Sequence, residues 1–136
     1  MDQQVRRLKK KIDAGAHYAL PQPLYDIERI PLMYERLKAG VGSFPVFFGV
    51  LPAVSARNAE FLAHEVPGIT IPEALIERMK GAPAERQREE GVAIAKELID
   101  RAMDVAPGFY IIPPFGSIDI SVELVKYIKS KVRARR

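Results

Sequence analysis

The run Pro45-Val46-Phe47-Phe48-Gly49-Val50-Leu51 decides the fold. Its apolar residues are continuous rather than alternating, and Pro52 closes it. A half-buried strand alternates in polarity, whereas a strand covered on both faces of a parallel sheet is apolar throughout. Two shorter runs have the same character: Ala16-His17-Tyr18-Ala19-Leu20, ending at Pro21, and Gly108-Phe109-Tyr110-Ile111-Ile112, ending at Pro113-Pro114. Each is a predicted strand, and helical periodicity fills the segments between them.

Val5, Leu8 and Ile12 recur at helical spacing with bases between them, which predicts an amphipathic helix over 2–13, stopped at Gly15. Asp26 can cap a second helix with the stripe Ile27, Ile30, Met33/Tyr34 and Leu37, stopped at Gly40 and Gly42, with Pro31 in its first turns, where it costs least. After the central strand, Ser55 offers an N-cap to a helix through about Val66. Thr70-Ile71-Pro72-Glu73 has capping-box spacing and opens a short helix to about Lys80. A longer helix is predicted from Pro83 to about Val105, with Val92, Ala95, Leu98, Ile99, Ala102 and Met103 on one face. A final helix from about Asp119 carries Val122, Val125, Ile128 and Val132, followed by a basic tail over 129–136.

Strands and helices thus alternate without a hairpin turn signal, which implies parallel βαβ units. An eight-unit barrel takes about 250 residues, roughly 31 per unit. The 136 residues here therefore amount to about four units. Three parallel strands leave both sheet edges open and cannot enclose a barrel interior. The expected fold is α/β: part of a (β/α)8 barrel, about three parallel βα units.

Composition narrows the chemistry. The chain is 48% apolar and 28% charged, which supports a packed core and excludes disordered and fibrous classes. It has no cysteine, so disulfides, thiol nucleophiles and thiolate zinc sites are excluded, and His17 and His64 are the only imidazoles. No stretch of eighteen apolar residues and no apolar leader is present, so a soluble, cytoplasmic protein is expected, with no membrane partner. Residues 1–11 hold five bases against Asp2, and residues 126–136 hold six against no acid, so the intervening 114 residues carry a net charge of −6. Basic ends could draw a polyanion. No recognition motif or interleaved aromatic run accompanies them, and this argues against nucleic acid.

Ligands of parallel α/β folds meet the loops at the carboxyl ends of the strands. Those loops are Pro21 to Asp26, Leu51 to Ser55 and Pro113 to Ser117. Gln22 is a polar side chain flanked by prolines, and its amide suits a heterocycle edge that alternates donors and acceptors. The same amide could instead satisfy nearby backbone. Lys10 and Lys11 end a helix, where cations complement the dipole; their functional reading is phosphate contact. Asp26 and Ser55 read as caps, His17 as a packing histidine, and Tyr25 and Phe115 as rim packing or stacking platforms. The stretch Glu85 to Glu90, with Arg86 and Arg88, reads as a solvated helix face. There is no dinucleotide fingerprint, Walker loop, nucleophile elbow or H-E-x-x-H.

Taken in order, Arg7-Leu8-Lys9-Lys10-Lys11-Ile12-Asp13-Ala14-Gly15-Ala16, Leu20-Pro21-Gln22-Pro23-Leu24-Tyr25-Asp26 and Gly49-Val50-Leu51-Pro52 resemble the later part of methylenetetrahydrofolate reductases. Ser55 to Leu62, Val66-Pro67-Gly68-Ile69 and Ile112-Pro113-Pro114-Phe115-Gly116 are similar to the bacterial versions, including those fused behind a homocysteine methyltransferase domain. The resemblance covers nearly the whole chain. It implies a (β/α)8 flavoprotein that holds FAD and reduces 5,10-methylenetetrahydrofolate to 5-methyltetrahydrofolate with NADH or NADPH.

By that resemblance this chain supplies strands six to eight, Gln22 is the pterin-binding glutamine after the sixth strand, and Leu62 lies against the substrate. Arg7, Lys10 and Lys11 contact the ribityl and phosphate region of FAD. Phe115 departs from members that carry an arginine nearby. The family's catalytic glutamate and its flavin-tuning aspartate belong to strands one and four, which this chain does not encode, so none of its residues is expected to be catalytic. No metal is expected. An N-terminal half is the implied partner. The competing expectations are a non-catalytic module whose copies pair through the open sheet, and a polyanion binder using the basic ends.

Overall fold

A computed structural model describes residues 3–114 and 117–135. Helix α1 spans Gln3–Asp13 and α2 Arg29–Val41; strand β1 spans Phe48–Val50; helices α3, α4 and α5 span Ala56–Glu65, Glu73–Gly81 and Gln87–Ala102. A 3-10 turn, Ala84–Arg86, precedes α5. Strand β2, Phe109–Ile111, and helix α6, Ile118–Ala134, complete the chain. The strands are parallel, in the register Phe48↔Phe109, Gly49↔Tyr110 and Val50↔Ile111. Mixed α/β order and parallel pairing therefore hold as expected.

The first predicted strand, 16–20, is present only as a parallel bridge between Ala19 and Val46. Ala19 N–H donates to the Pro45 carbonyl at 2.9 Å, and Phe47 N–H donates to the Ala19 carbonyl at 3.1 Å. Neither neighbouring proline, Pro21 or Pro45, has an N–H to extend the ladder, so it stops there.

Pleating sorts the side chains. Val46, Phe48 and Val50 are buried on the helix side, and Phe48 meets Phe109 edge-on at 6.1 Å between ring centroids. They join a core built with Ile30, Met79, Leu98, Ile99 and Leu124 from the helices. On the opposite face Tyr18 packs edge-on against Phe47, with centroids 5.7 Å apart. Tyr18 stays 58% exposed and Leu20 54% exposed on that side.

Capping follows the sequence at some helices and departs from it at others. Ser55 caps α3, its Oγ accepting Asn58 N–H at 3.0 Å, and Asn58 reaches back to accept Val54 N–H at 3.1 Å. Asp26 accepts Glu28 N–H at 3.1 Å and so fixes the turn before α2 rather than its first residue. Helix α4 begins after Pro72 with no side-chain cap, so Thr70 does not form the expected box. Gly40 does not stop α2; it lies inside the last turn against Val5, and Gly42 ends the helix.

In α6 the expected core face, Val122, Val125, Ile128 and Val132, is only partly used. Ile120 and Leu124 are the buried residues, Ile128 is half-buried, and Val122, Val125 and Val132 are exposed. The helix carries two apolar stripes, and the one containing the i, i+4 pair Ile120 and Leu124 meets α5 and β2. Residues 129–134 of the basic segment are helical, with Lys131 3.8 Å from Asp100 of α5, and Arg135, just past the helix, lies 2.8 Å from Asp104 in the turn after α5. Among the described residues no helix is long and apolar enough to cross a membrane.

Candidate functional site

At the carboxyl end of the first strand segment the chain runs Pro21-Gln22-Pro23-Leu24-Tyr25. Two prolines stiffen it, and burial of Pro23 and Tyr25 anchors it. The Tyr25 hydroxyl donates to the Leu51 carbonyl at 2.7 Å, which fastens this loop to the one after β1. Burial raises the Tyr25 pKa far above the usual phenol range, so the hydroxyl remains a donor. Upstream, the Tyr110 hydroxyl donates to the Pro21 carbonyl. Gln22 therefore lies between two fastened points while being itself exposed.

Across the loop from Gln22 is the turn after α3. Gly68 has φ +85°, a conformation that favours glycine. A Cβ there would sit 3.4 Å from Nε2 and 3.6 Å from Cδ of Gln22. The Gln22 amide thus lies beside Gly68, and the side chain is exposed. Tyr25 proves to be a core residue rather than a stacking platform.

Leu62 is 5% exposed and packs in the core, whereas its neighbour Phe61 is 49% exposed on the outside of α3. Arg7, Lys10 and Lys11 are exposed on α1, the two lysines in its last turn. The carbonyls of Lys10 and Lys11 accept Ala14 and Ala16 N–H at 3.1 and 3.0 Å, closing the helix end. No carboxylate pairs with these three bases among the described residues. They sit before the first strand segment and Gln22 sits after it, so the extended residues 16–20 separate the basic helix end from the amide.

His17 and His64 are both exposed, so His17 is not the packing histidine expected. No group of three or more metal-ligating side chains is found among the described residues. Phe115 lies outside the described residues.

The stretch read as a solvated helix face is exposed at Glu85, Arg86, Arg88 and Glu89, as expected, and is cross-linked at its surface. Arg88 clamps both carboxylate oxygens of Asp119 at 2.8 and 2.7 Å and reaches Ser117 Oγ at 3.3 Å. The Arg88 guanidinium holds the Asp119 carboxyl below its usual pKa. Arg78 bridges Glu90 and Glu97, the latter at 2.6 Å. Gln87 accepts Ala56 N–H at 2.9 Å and donates to the Ala82 carbonyl at 3.2 Å, satisfying the start of α3 and the end of α4 together. Sequence reasoning also missed Tyr110. Its signal was Gly49, an isolated glycine in an apolar strand, which marks a close approach.

Residues 1–113 match the sequence profile of the methylenetetrahydrofolate reductase family. Methylenetetrahydrofolate reductase 1 of Schizosaccharomyces pombe is 24% identical over 100 residues, which cover 72% of this chain and 16% of the yeast protein. A solved protein from Clostridium thermocellum, described as binding two copies of 5-methyl-5,6,7,8-tetrahydrofolic acid, is similar with a TM-score of 0.65 at 21% identity. That likeness covers 93% of this chain and 48% of the other, so the chain spans about half of that structure.

Proposed function

The chain belongs to the methylenetetrahydrofolate reductase family, and from that premise we propose that it is the C-terminal part of a reductase barrel, residues 1–136 contributing strands six to eight with their helices. The whole enzyme would reduce 5,10-methylenetetrahydrofolate to 5-methyltetrahydrofolate with NADH or NADPH. FAD, when bound, supplies the hydride relay between the nicotinamide and the folate.

The observation that carries this reading is Gln22: an exposed amide just after the bridged first segment, fastened on both sides, within a segment that matches the family. An amide can donate and accept in one plane, which suits the alternating edge of a pterin. Leu62 would act from the core as the wall beneath the substrate, since its burial leaves little surface to offer. Arg7, Lys10 and Lys11 fit the phosphate end of FAD, being exposed and free of carboxylate partners among the described residues. The flavin ring would need walls from the first five strands. Alone, the chain is therefore expected neither to retain FAD nor to turn over, and the compartment that suits this chemistry is the cytoplasm.

The test is reconstitution. Co-expressed with the first five strands of a bacterial reductase, the chain should yield a yellow complex whose reduced flavin is reoxidised by methylenetetrahydrofolate. A stable complex that takes up no flavin would count decisively against the assignment.

A second reading has its own observation. Tyr18 and Leu20 on the open sheet face, and the outward valines of α6, leave apolar surface that another copy of the chain could cover. Light scattering on the purified chain decides it: a monomer across the micromolar range removes self-pairing.

A further inference from the structure

We propose that Tyr110 is the positioning residue for Gln22, holding the Pro21–Gln22 peptide in place by reaching across Gly49 of the middle strand. The consequence for ligand binding rests on the reading of Gln22 as a folate contact; the positioning itself does not.

Pairing in register, Gly49 and Tyr110 point to the same face of the sheet, the face away from the helices. A Cβ at Gly49 would come 2.5 Å from Cζ and 2.8 Å from Cε1 of Tyr110. The phenol end of Tyr110 therefore passes over Gly49 of the middle strand, and only a residue without a side chain leaves that path open. Beyond Gly49 the ring ends at the first strand segment, where its hydroxyl donates to the Pro21 carbonyl.

That carbonyl needs such a donor. The ladder between the first segment and the middle strand ends with Phe47 N–H on the Ala19 carbonyl at 3.1 Å. Pro21 and Pro23 have no N–H of their own to offer. The next tie is Tyr25, which holds the far side of the loop. Without Tyr110 the peptide entering Gln22 would have no fastening to the sheet, and the amide would lie beside Gly68 on a free backbone. Tyr34, by contrast, donates to the Val46 carbonyl at 2.8 Å inside the strand and has no bond to the Gln22 loop. Burial also pushes the Tyr110 hydroxyl pKa up, so it stays protonated as the arrangement requires.

The experiment uses the full chain with 5-methyltetrahydrofolate as probe, together with the side-chain amide proton signals of Gln22, assigned by their loss in Gln22→Ala. Tyr110→Phe keeps the ring and removes the donor. It should shift and broaden the Gln22 amide pair and weaken folate binding about fivefold. It should add nothing in a Gln22→Ala background. Gly49→Ala should disturb the same signals by displacing the ring, and Tyr34→Phe should leave them in place. An unmoved Gln22 signal in Tyr110→Phe overturns the inference whether or not folate binds. Additive losses in the double variant also overturn it, since the phenol would then act on the ligand by another route. If the native chain binds no folate but the signal moves, positioning stands, and the folate reading is decided by the reconstituted complex.

Discussion

The two faces of the middle strand differ more than its sequence does. On one, Val46, Phe48 and Val50 are buried against the helices. On the other, Phe47 has Tyr18 for company and Gly49 has Tyr110, and beside them Tyr18 and Leu20 stand more than half exposed. A continuous apolar run is written for cover on both sides. Here the helix side is finished and the other is held by two aromatic rings.

Stability should divide along that line. Phe48→Ala empties a fully buried site packed against Phe109 and should cost about 3–5 kcal/mol. Phe47→Ala, half-buried on the open face, should cost well under half of that in urea denaturation. Equal losses would mean the open face is as well packed as the helix side, and the comparison would fail.

The glycines sharpen it further. Gly91 lies inside α5 where a Cβ would run into the Ala53 carbonyl oxygen. Gly91→Ala should therefore destabilise by about 1–3 kcal/mol, although alanine is the better helix former. Gly49→Ala meets a side chain that can swing toward solvent, so its thermal midpoint should fall less than that of Gly91→Ala. The reverse order would place the rigid layer on the wrong side of the sheet.

A smaller effect on the isolated chain separates cover from core. Leu20→Lys should change its unfolding free energy by no more than about 0.5 kcal/mol, because the side chain is already largely in water. Assembly with a complementing N-terminal half, or with a second copy, should nonetheless be lost, because the lysine would bury a charge in the joint. Unchanged assembly by size-exclusion would show that the Leu20 face is not the one covered.

Much of this was legible in the sequence. Strand–helix alternation, the Ser55 cap and the burial of Ala95, Leu98, Ile99 and Ala102 on α5 follow from periodicity and local chemistry; the expected face did not include Ile94, which is also buried. The α6 rotation was not legible, since that helix has apolar stripes on two faces and spacing cannot choose between them. Nor was the reduction of strand 16–20 to one bridge, which depends on Pro21 and Pro45 ending the ladder on either side of the Ala19–Val46 pair. Within the site, Gln22 stood out by its flanking prolines and by resemblance. Its support did not: Tyr110 is 89 residues from Pro21, and the same holds elsewhere for Arg88, which is 31 from Asp119. Contacts at such separations are set by the packed topology, which a one-dimensional pattern does not contain.

The smallest predicted effect concerns that last pair, which ties the start of α5 to the start of α6. The Arg88 bond lowers the folded pKa of Asp119. An unfolded aspartate titrates near 3.9, so the stabilisation is complete above about that pH and is lost as pH falls through the lower folded value. Both side chains are well exposed, so solvent screens the pair and the effect is modest. Comparing native protein with Asp119→Asn, the difference in urea midpoint should be constant at neutral pH, shrink below pH about 4, and diminish with added salt. A difference that persists undiminished at the acid end would show that it does not come from the charge of Asp119, and would leave Arg88 as an ordinary surface residue.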